Sequence, residues 1–517
     1  MSSFATVVES EINFMGSNSY KVSALDELKM LSASSMIGED SYYQTGSENF
    51  ENFRNSLQQA LDQEYKNTIN FIPKLRNDFL MRKSPQIIFV EACLHKNRKE
   101  FNEKNPKYLK NIGFQIIKLP TDIQFQLSYY KFVNGSIQRL PTILKNIWAS
   151  YLENMSKYQA VKYLNKAKIV DLIRLSHPNP KKNDILTNIV YDKNIELDDY
   201  QETWEKLRSI GSKWIDIISK LGTKFPHMAL LRNLNGISKE LDSNQIKNVM
   251  NKLVDGVEHG KQFPYAYYVA YKKIKVDLIS QIKKRDIILD GLENCMQESI
   301  KNFPKLNGFV TSLCDNSGSA HGAVPSSYGS VKVSEIGNLS GLITAMSSTE
   351  GGEVAVFGDD LKIYPVNKNR KIMDQLEEIC ALGKIVGEYT ENGIWIWFEK
   401  GFNNKNFNEK TDHLFIYSDQ QAGDGELYGL DEAREDFVDF LYKTRSERPY
   451  IDVLKLVEKH RKEINEKITV FPVQIAAYKN SVIPKCTPYT ALLYGWTGKE
   501  VLFAKKYIEI WEQIKKI

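Results

Sequence analysis

Apolar residues recur at helical spacing through most of the first 300 residues. From about residue 50 to 300 they fall at positions i, i+3 and i+4, as in amphipathic helices, and convincing strand patterns are absent. Connectors with Pro, Asn or Gly separate these stretches, which include NFRNSLQQALDQEY, SPQIIFVEACLHK, LPTILKNIWASYLENM, YQETWEKLRSIGSKWIDIISKLG, SNQIKNVMNKLVDGVE and YAYYVAYKKIKVDLISQIKK. A long series of helices with short connectors is typical of an α-solenoid, although the sequence shows no fixed-period repeat.

The pattern changes at about residue 305, where short apolar runs begin to alternate with helical stretches. The strand-like runs are GFVTSLCD, GEVAVFG, LKIYPV, HLFIYSD, ITVFPVQIAAY and YTALLYGW. The helical stretches between them include SEIGNLSGLITAMSS, KIMDQLEEICALGKI, YIDVLKLVEKHRKEIN and KEVLFAKKYIEIWEQIKKI. This alternation predicts an α/β domain with a mostly parallel, doubly wound sheet. We therefore predict an N-terminal segment at 1–24, an all-α module at 25–300 and the α/β domain at 305–517.

The bulk composition is that of a folded protein. The chain has 517 residues, of which 42% are hydrophobic, enough for two or more domains with sizeable cores. Neither a transmembrane helix nor a secretory signal is expected, because long apolar runs are missing and MSSFATVVESEINF lacks a basic start. Five scattered cysteines without a C-x-x-C argue against a disulfide framework and a zinc ribbon, and favour a reducing cytoplasm.

Charge is unevenly distributed along the chain. The formal net charge is +5 overall, with −5 over 1–50, +13 over 51–300 and −3 over 301–517. Residues 101–182 alone hold 14 Lys/Arg against 4 Asp/Glu. Such an excess suggests a polyanion partner, most simply a nucleic acid. A solvated lysine-rich surface explains the composition equally well.

An acid and two hydroxyls follow the first predicted strand in CDNSGSAHG, residues 314–322. Asp315, Ser317 and Ser319 form a D-x-S-x-S pattern of hard oxygen ligands, which suit Mg²⁺ or Mn²⁺ and not zinc. Ligands bind at the carboxyl ends of the strands in such sheets, so we expect further ligands from neighbouring loops. Asp419 ends the strand HLFIYSD, and Thr390 lies at the start of a predicted helix. A polar turn without a metal is the alternative.

Other chemistries have less support in the sequence. A D-x-D phosphatase requires an acid where Ser317 stands, and a serine hydrolase requires G-x-S-x-G. The sequence has no G-x-x-x-x-G-K-[ST], and its seven histidines are isolated, with no H-E-x-x-H. A metal-dependent hydrolase would lack a general base. We therefore predict that the protein is not an enzyme.

The oxygen ligands resemble the metal-ion-dependent adhesion site of the von Willebrand factor A fold. In that fold, a D-x-S-x-S after the first strand is joined by a threonine from a middle loop and an aspartate after the fourth strand. The resemblance implies a site for Mg²⁺, or for Mn²⁺, with an open position that a partner's carboxylate often fills. It implies that the metal ligands are Asp315, Ser317, Ser319, Thr390 and Asp419.

Four segments of the helical half are similar to the TROVE module of the Ro RNA-binding family, in which an A domain normally follows. They are ALDELKMLSASSMIGEDSYYQ, KYLNKAKIVDLIRLSHPNP, FPHMALLRNLNGI and FPYAYYVAYKKI. Their order and spacing agree, and the resemblance covers about residues 20–517. It implies that HEAT-like helical repeats form a closed ring. Single-stranded 3′ ends of misfolded non-coding RNAs would thread its basic hole, and structured RNAs of the Y class would bind its outer surface.

The same resemblance implies a set of RNA-binding residues. Lys162, Lys166 and His177 occupy positions that contact RNA in the family, and Lys145 matches a basic helical position. Arg174 lies in the same signature as His177. Lys181 and Lys182 have no counterpart in the family, and we add them to the predicted RNA-binding residues because they extend the same basic patch.

We expect a monomeric, cytoplasmic ribonucleoprotein component that acts in RNA quality control or processing and has no DNA or membrane partner. The alternative function is a protein-interaction scaffold that captures a partner's carboxylate through the metal. The two are compatible if the A domain recruits a nuclease or another protein to the bound RNA. The long charged segment at 420–467 could decorate the metal edge or bind a partner of its own.

Overall fold

The protein divides into two compact units in a computed structural model. One unit is residues 52–225, and the other combines 1–51 with 226–517. The structure describes residues 10–12, 18–20, 24–33, 46–164, 166–191, 203–321, 323–326, 329–387, 391–420, 438–440, 449–451, 453–475, 483, 489–494 and 500–514. Most of the charged segment at 420–467 and the end of the first TROVE-like segment, 34–44, therefore lie outside the described residues.

Helices make up the described chain from residue 24 to residue 300. In chain order they are α1 (Ala24–Ala33), α2 (Gly46–Asn77), α3 (Ser84–Leu94), α4 (Arg98–Lys104), α5 (Tyr108–Ile116), α6 (Pro120–Asn134), α7 (Thr142–Glu153), α8 (Lys157–Tyr163), α9 (Ile169–Ser176), α10 (Ile185–Tyr191), α11 (Trp204–Ser209), α12 (Trp214–Leu221), α13 (His227–Arg232), α14 (Leu234–Glu240), α15 (Ser243–Asp255), α16 (Val257–Gly260), α17 (Pro264–Asp277) and α18 (Ile282–Ile300). The all-α character predicted for this part is confirmed for the described residues.

Two of the predicted long helices are interrupted. In one stretch the described residues 203–222 form α11 and α12, because Gly211, with a φ of +90°, ends the first of these helices. The stretch 265–284 forms α17 and the start of α18, separated by a turn in which the N–H of Gln281 donates to the carbonyl of Leu278 at 3.0 Å. The burial of apolar residues stops there although their spacing in the sequence continues, since Leu278 is buried but Ile282 is exposed.

A chain of buried polar side chains fixes the core of residues 52–225. Nε1 of Trp148 donates to Oε1 of Gln126 at 2.7 Å, and Nε2 of Gln126 donates to Oε1 of Gln86 at 2.5 Å. Nε2 of Gln86 in turn donates to the carbonyl of Ile116 at 3.1 Å. Because every link is made inside an apolar core, the network favours one packing of α3, α5, α6 and α7 over alternatives.

The chain after residue 305 forms an α/β domain around a six-stranded sheet. Its strand order is β12-β11-β8-β3-β6-β7, and all neighbours are parallel except β6 and β7. The sheet is therefore mostly parallel, as predicted, with an antiparallel edge strand. The strands of the whole chain are β1 (Ser10–Ile12), β2 (Asn18–Tyr20), β3 (Phe309–Asp315), β4 (Ala323–Ser326), β5 (Gly329–Lys332), β6 (Gly352–Phe357), β7 (Leu361–Pro365), β8 (Thr411–Ser418), β9 (Val438–Phe440), β10 (Pro449–Ile451), β11 (Thr469–Gln474) and β12 (Leu493–Tyr494).

Helices cover both faces of this sheet. They are α19 (Val333–Met346), α20 (Ile372–Gly383), α21 (Glu391–Asn403), α22 (Val453–Glu463) and α23 (Glu500–Ile514). On one face, Trp397 of α21 and Leu456 of α22 join Leu313 and Ile416 in the main apolar core. On the other face α19 lies very close to β3, because a Cβ at Gly341 would stand only 2.5 Å from Sγ of Cys314.

The last helices of the helical part belong to the same compact unit as the sheet. The carboxylate of Glu293 in α18 accepts the N–H groups of Ile372 and Met373, at 2.5 and 3.1 Å, and so caps the start of α20. In α17, Lys272 pairs with Glu335 at 2.7 Å, and the hydroxyl of Tyr265 donates to the carbonyl of Ile336 at 2.9 Å. The change from helices to strands falls between residues 300 and 309, whereas the boundary between the two compact units falls at 225/226.

Candidate metal centre and nucleic-acid interface

The loop after β3 is built around Asp315. Oδ1 of Asp315 accepts the N–H of Ser317 at 2.9 Å, which turns the chain back over the end of the strand. A 3₁₀ turn, Ser319–His321, follows and ends the predicted motif. Parallel pairing of β3 with β8 places the carboxyl ends of both strands at one edge of the sheet. Asp315 and Asp419 therefore lie next to each other, as their positions after strands predicted.

Four of the five predicted metal ligands form one cluster. Oγ of Ser319 donates to Oδ2 of Asp419 at 3.2 Å, and the Oγ atoms of Ser317 and Ser319 are 3.5 Å apart. Asp315, Ser317 and Asp419 are buried, while Ser319 is half-buried beside the exposed Gly318. The cluster thus opens to solvent on the side of the serine loop.

Thr390, the fifth predicted ligand, lies outside the described residues. Helix α21 begins one residue later, and the N–H of its Gly393 donates to the carbonyl of Gly358 at 3.0 Å. Gly358 directly follows β6, which neighbours β3. The start of α21 is therefore at the same edge of the sheet as the cluster.

Sequence reasoning missed one polar side chain of this cluster, Ser418. Its hydroxyl donates to Oδ2 of Asp315 at 2.7 Å and lies 3.5 Å from Oδ1 of Asp419. Its Oγ also accepts the N–H of Gln420 at 3.0 Å. The available signal was its place as the last residue of β8, next to Asp419 at a strand end.

The electrostatics of the cluster suit a cation. Burial, and after it the charge of Asp419, raise the pKa of the Asp315 carboxyl to about 7, against hydrogen bonds from Ser317 and Ser418 that lower it. Two close carboxylates and two hydroxyls are hard donors of the kind that bind Mg²⁺ or Mn²⁺. Groups of three or more His, Cys, Asp or Glu side chains placed to hold a metal are absent from the described residues.

A pair of buried amides supports the loop from below. Asn316 and Asn338 of α19 exchange two hydrogen bonds, at 2.9 and 3.0 Å, and Nδ2 of Asn316 also donates to the carbonyl of Cys314 at 3.0 Å. The N–H of Asn316 donates to the carbonyl of Phe357 at 2.8 Å. Asn316, which stands between Asp315 and Ser317, is thus held by hydrogen bonds to three other residues. These bonds limit the movement of Asp315 and Ser317.

The predicted RNA-binding residues lie within the unit of residues 52–225, on α7 to α9 and the turns that follow. Lys145 is in α7, Lys162 in α8, and Lys166 in the turn before α9. Arg174 is exposed on α9, whose opposite face buries Ile169 and Leu172. The remaining three are exposed: His177, with a φ of +52° at the end of α9, and Lys181 and Lys182, in the 3₁₀ turn Pro180–Lys182.

Contacts within this unit connect α7, α9 and the turn at 179–182, which carry several of these basic residues. Helices α7 and α9 pack against each other. The carboxylate of Glu153, at the end of α7, accepts the N–H of Asn179 at 2.9 Å and pairs with Nζ of Lys182 at 2.8 Å. These contacts lower the pKa of the Glu153 carboxyl, the bond from Lys182 most of all. Glu153 therefore holds the 179–182 turn against the helix that carries Lys145.

The basic side chains differ in how they are already engaged. Lys166 pairs with Glu205 at 2.8 Å, and Nζ of Lys162 donates to the hydroxyl of Tyr158 at 3.1 Å. By contrast, the side chains of Lys145, Arg174 and Lys181 have no hydrogen bond or ion pair with another described residue. These last three charges are available to an anionic ligand without the loss of an existing contact.

The net positive charge is concentrated in one of the two compact units. Residues 52–225 hold 29 Lys/Arg against 17 Asp/Glu, a formal net charge of +12, whereas 1–51 together with 226–517 hold 40 against 47, a net −7. Residues 101–182 supply +10 of the +12, so the basic stretch predicted from the sequence lies inside one compact unit and accounts for most of its net charge.

Together these features define a class of protein in which an α-helical half precedes an α/β domain with an oxygen-ligand cluster at the carboxyl edge of its sheet. The crystal structure of the Ro (RSR) protein of Deinococcus radiodurans is similar to this chain, with a TM-score of 0.57 at 12% sequence identity. The likeness covers 93% of this chain and 100% of that one. No protein-family profile and no curated protein sequence matches the chain. The chain therefore has the fold of a Ro protein, which confirms the resemblance found in the sequence at the level of the fold.

None of the described helices is both long enough and apolar enough to span a membrane.

Proposed function

We propose that this chain is a non-catalytic RNA-binding protein of the Ro family. The observation that carries the proposal is the net charge of +12 on residues 52–225 in a chain with the fold of a Ro protein. Lysine and arginine side chains bind RNA by neutralising phosphates and releasing counterions, which gives affinity without sequence selection.

The RNA we propose is the unpaired 3′ end of a misfolded or small non-coding RNA, with a Y-like structured RNA on the outer basic surface. The protein would act as a cytoplasmic, monomeric component of a ribonucleoprotein in RNA quality control or processing. The proposed contacts are made by Lys145, Lys162, Lys166, Arg174, His177, Lys181 and Lys182. For Lys166 and Lys182, RNA would compete with exposed ion pairs, which are weak and easily exchanged.

The first test removes the positive charges of Lys145, Arg174 and Lys181, whose side chains have no hydrogen bond or ion pair with another described residue. In the full chain, Lys145→Gln/Arg174→Gln/Lys181→Gln should bind a hairpin RNA with a ten-nucleotide 3′ tail about ten- to a hundredfold more weakly than wild type at 0.1 M salt. The slope of log K against log salt should fall by about 2, at roughly 0.7 per lost phosphate contact on a single strand. Fluorescence anisotropy over a salt series measures both quantities.

The matched control removes exposed lysines from the α/β domain. Lys384→Gln/Lys405→Gln/Lys467→Gln changes three exposed charges there and should leave affinity and slope at wild-type values. Equal losses in both variants would mean that binding follows net charge alone. A wild-type chain that does not bind the tailed RNA would contradict the proposed function.

We further propose that the oxygen cluster holds Mg²⁺, or Mn²⁺ in its place. Asp315, Ser317, Ser319 and Asp419 would be ligands, with Thr390 as the fifth. The bound cation would supply a positive charge at the solvent-facing side of the serine loop, where a carboxylate of a partner protein can bind. The half-buried Ser319 beside the exposed Gly318 favours this second candidate function, recruitment of a nuclease or another protein.

Ser418 offers a direct test of the cation site. Ser418→Ala removes the hydroxyl that holds Oδ2 of Asp315, and the loss of such an outer contact weakens metal binding about ten- to a hundredfold. Ser418→Thr keeps the hydroxyl and should bind Mn²⁺ nearly as well as wild type. Titration of Mn²⁺ followed by its electron paramagnetic resonance signal gives each affinity. Equal affinity of Ser418→Ala and wild type would argue against this cluster as the binding site.

A further inference from the structure

Two exposed lysine–aromatic pairs lie on the surface of the unit of residues 52–225. On α5, Nζ of Lys110 stands 5.5 Å from the ring centroid of Phe114. On α8, Nζ of Lys162 stands 5.2 Å from the ring centroid of Tyr158 and 5.8 Å from that of Tyr163. Phe114 is 43% exposed and Tyr158 is 39% exposed. Each pair therefore presents an aromatic ring to solvent beside a positive charge.

Tyr151 joins the two pairs. Its hydroxyl donates to the carbonyl of Lys118, just beyond the end of α5, at 3.1 Å. Its phenol also lies close enough to Tyr163 and Gln159 for both to act on it electrostatically. Burial comes first among the causes that raise the pKa of Tyr151, so this ring is partly covered between the two helices. Tyr151 thus lies between Lys118, four residues after Phe114, and Tyr163 of α8, which completes a series of aromatic side chains on α5, α7 and α8.

The stretch of chain that contains α5 is rich in lysine, although Glu153 of α7 lies near Lys110 in the structure. Between Glu103 and Asp122 the chain holds four lysines and no acid. On α5, Lys110 and Phe114 are four residues apart and share one helical face, while Lys107 and Lys118 flank the helix at its two ends. The buried residues of α5, among them Leu109 and Ile112, lie on the other face.

A single exposed ring is ordinary on a protein surface. Here, however, two exposed rings each lie beside a lysine, with Tyr151 near the segments of both, in a unit of net charge +12. Surfaces that combine a positive groove with aromatic rings bind single-stranded nucleic acid, because each unpaired base can stack on a ring while lysines meet the phosphates. A lysine now over a ring can swing to a phosphate and leave the face of the ring to a base, which is also planar.

We propose that this series, hereafter the aromatic track, stacks unpaired bases of bound RNA. Its members are Lys110, Phe114, Tyr151, Tyr158, Lys162 and Tyr163. The proposal rests on the proposed RNA-binding function and adds to it a source of affinity other than charge. The track selects unpaired RNA over duplex, since a base inside a duplex cannot leave its neighbours to stack on a side chain at no cost.

The test separates stacking from charge. In the full chain, Phe114→Leu and Tyr158→Leu remove the rings but keep apolar side chains of similar size. Each should weaken binding of a single-stranded decamer about fivefold or more, with the salt slope of the wild type unchanged. Tyr158→Phe keeps the ring and should retain wild-type affinity. Phe132→Leu, which changes an exposed ring of the same unit outside the track, is the matched control and should also bind like wild type.

A decamer with abasic sites in place of its bases gives the decisive comparison. It should bind the wild type more weakly than the normal decamer, and Phe114→Leu and Tyr158→Leu should bind it no more weakly than the wild type does. If the Leu variants bind the normal decamer like wild type, or lose affinity equally for the abasic one, the track is not a stacking surface while the RNA-binding function stands. If wild type binds neither RNA, the proposed function itself fails.

Discussion

Asp315→Asn is expected to remove divalent-cation binding while leaving the metal-free protein at least as stable as wild type at pH 7.5. The carboxylate is buried beside Asp419, and both effects raise the pKa of Asp315 to about 7, so its charge opposes folding when no cation is present. The amide has nearly the same shape and no charge. Loss of this ligand should weaken Mn²⁺ binding by more than about 100-fold, beyond the effect of an outer contact.

Thermal unfolding with and without 5 mM Mn²⁺ measures both parts of this prediction. Wild type should gain stability with the cation, by about 2.7 kcal/mol where the concentration is 100 times Kd, and Asp315→Asn should gain none. Asp412→Asn is the matched control. Asp412 lies at the opposite end of β8, where it accepts the N–H of Phe309 at 2.7 Å, and its loss should not alter the response to Mn²⁺. A gain by Asp315→Asn equal to that of wild type would contradict the proposed cation site.

His460 should make the α/β domain sensitive to mild acid. Its ring is fully buried and stacks on Trp397 with centroids 5.5 Å apart, and neither ring nitrogen has a hydrogen-bond partner among the described residues. Burial, and then the charge of Arg461, lower the pKa of His460 from 6.5 to about 4. Between these values the unfolded chain binds a proton that the folded chain does not. Stability therefore falls as the pH drops through this range, by about 3 kcal/mol in total, and is unaffected above it.

The variant His460→Phe tests this directly. A phenyl ring keeps the aromatic contact with Trp397 and has no proton to bind, so the part of the loss of stability between pH 6.5 and 4 that belongs to His460 should disappear. Urea unfolding at a series of pH values, followed by tryptophan fluorescence, measures it. His177→Gln changes an exposed histidine and should leave the wild-type pH profile. The same pH profile in His460→Phe and wild type would show that another group is responsible.

Element types were predictable wherever side-chain periodicity alone decides them. The helical spacing of Ile246, Val249, Met250 and Leu253 in α15 and the apolar run at Phe309–Asp315 both correspond to elements of the structure. The turn at Leu278–Gln281 could not be predicted, because the apolar spacing continues through it. The antiparallel direction of β7 was also invisible, since LKIYPV has the same composition whichever way it runs along β6.

The candidate sites show a similar limit. D-x-S-x-S is a local pattern, and parallel-strand logic was enough to add Asp419. Ser418 was missed because its role depends on a hydrogen bond to a residue 103 positions away, across the β3–β8 pair. The pairing of Lys166 with Glu205 spans 39 positions and was equally hidden. Sequence shows which charges a chain carries, whereas the fold decides which of them are already engaged.

The cap that Glu293 places on α20 has a practical consequence for dissecting the protein. A fragment that starts at the change from helices to strands, near residue 305, would lose the carboxylate that satisfies the N–H groups of Ile372 and Met373. It would also expose the groups that Tyr265 and Lys272 cover. The compact unit that contains the sheet comprises residues 1–51 together with 226–517, so a fragment that keeps this unit needs both parts. Poor expression of a fragment that begins near residue 305 would therefore reflect the loss of these contacts with α17 and α18. It would give no information about ligand binding.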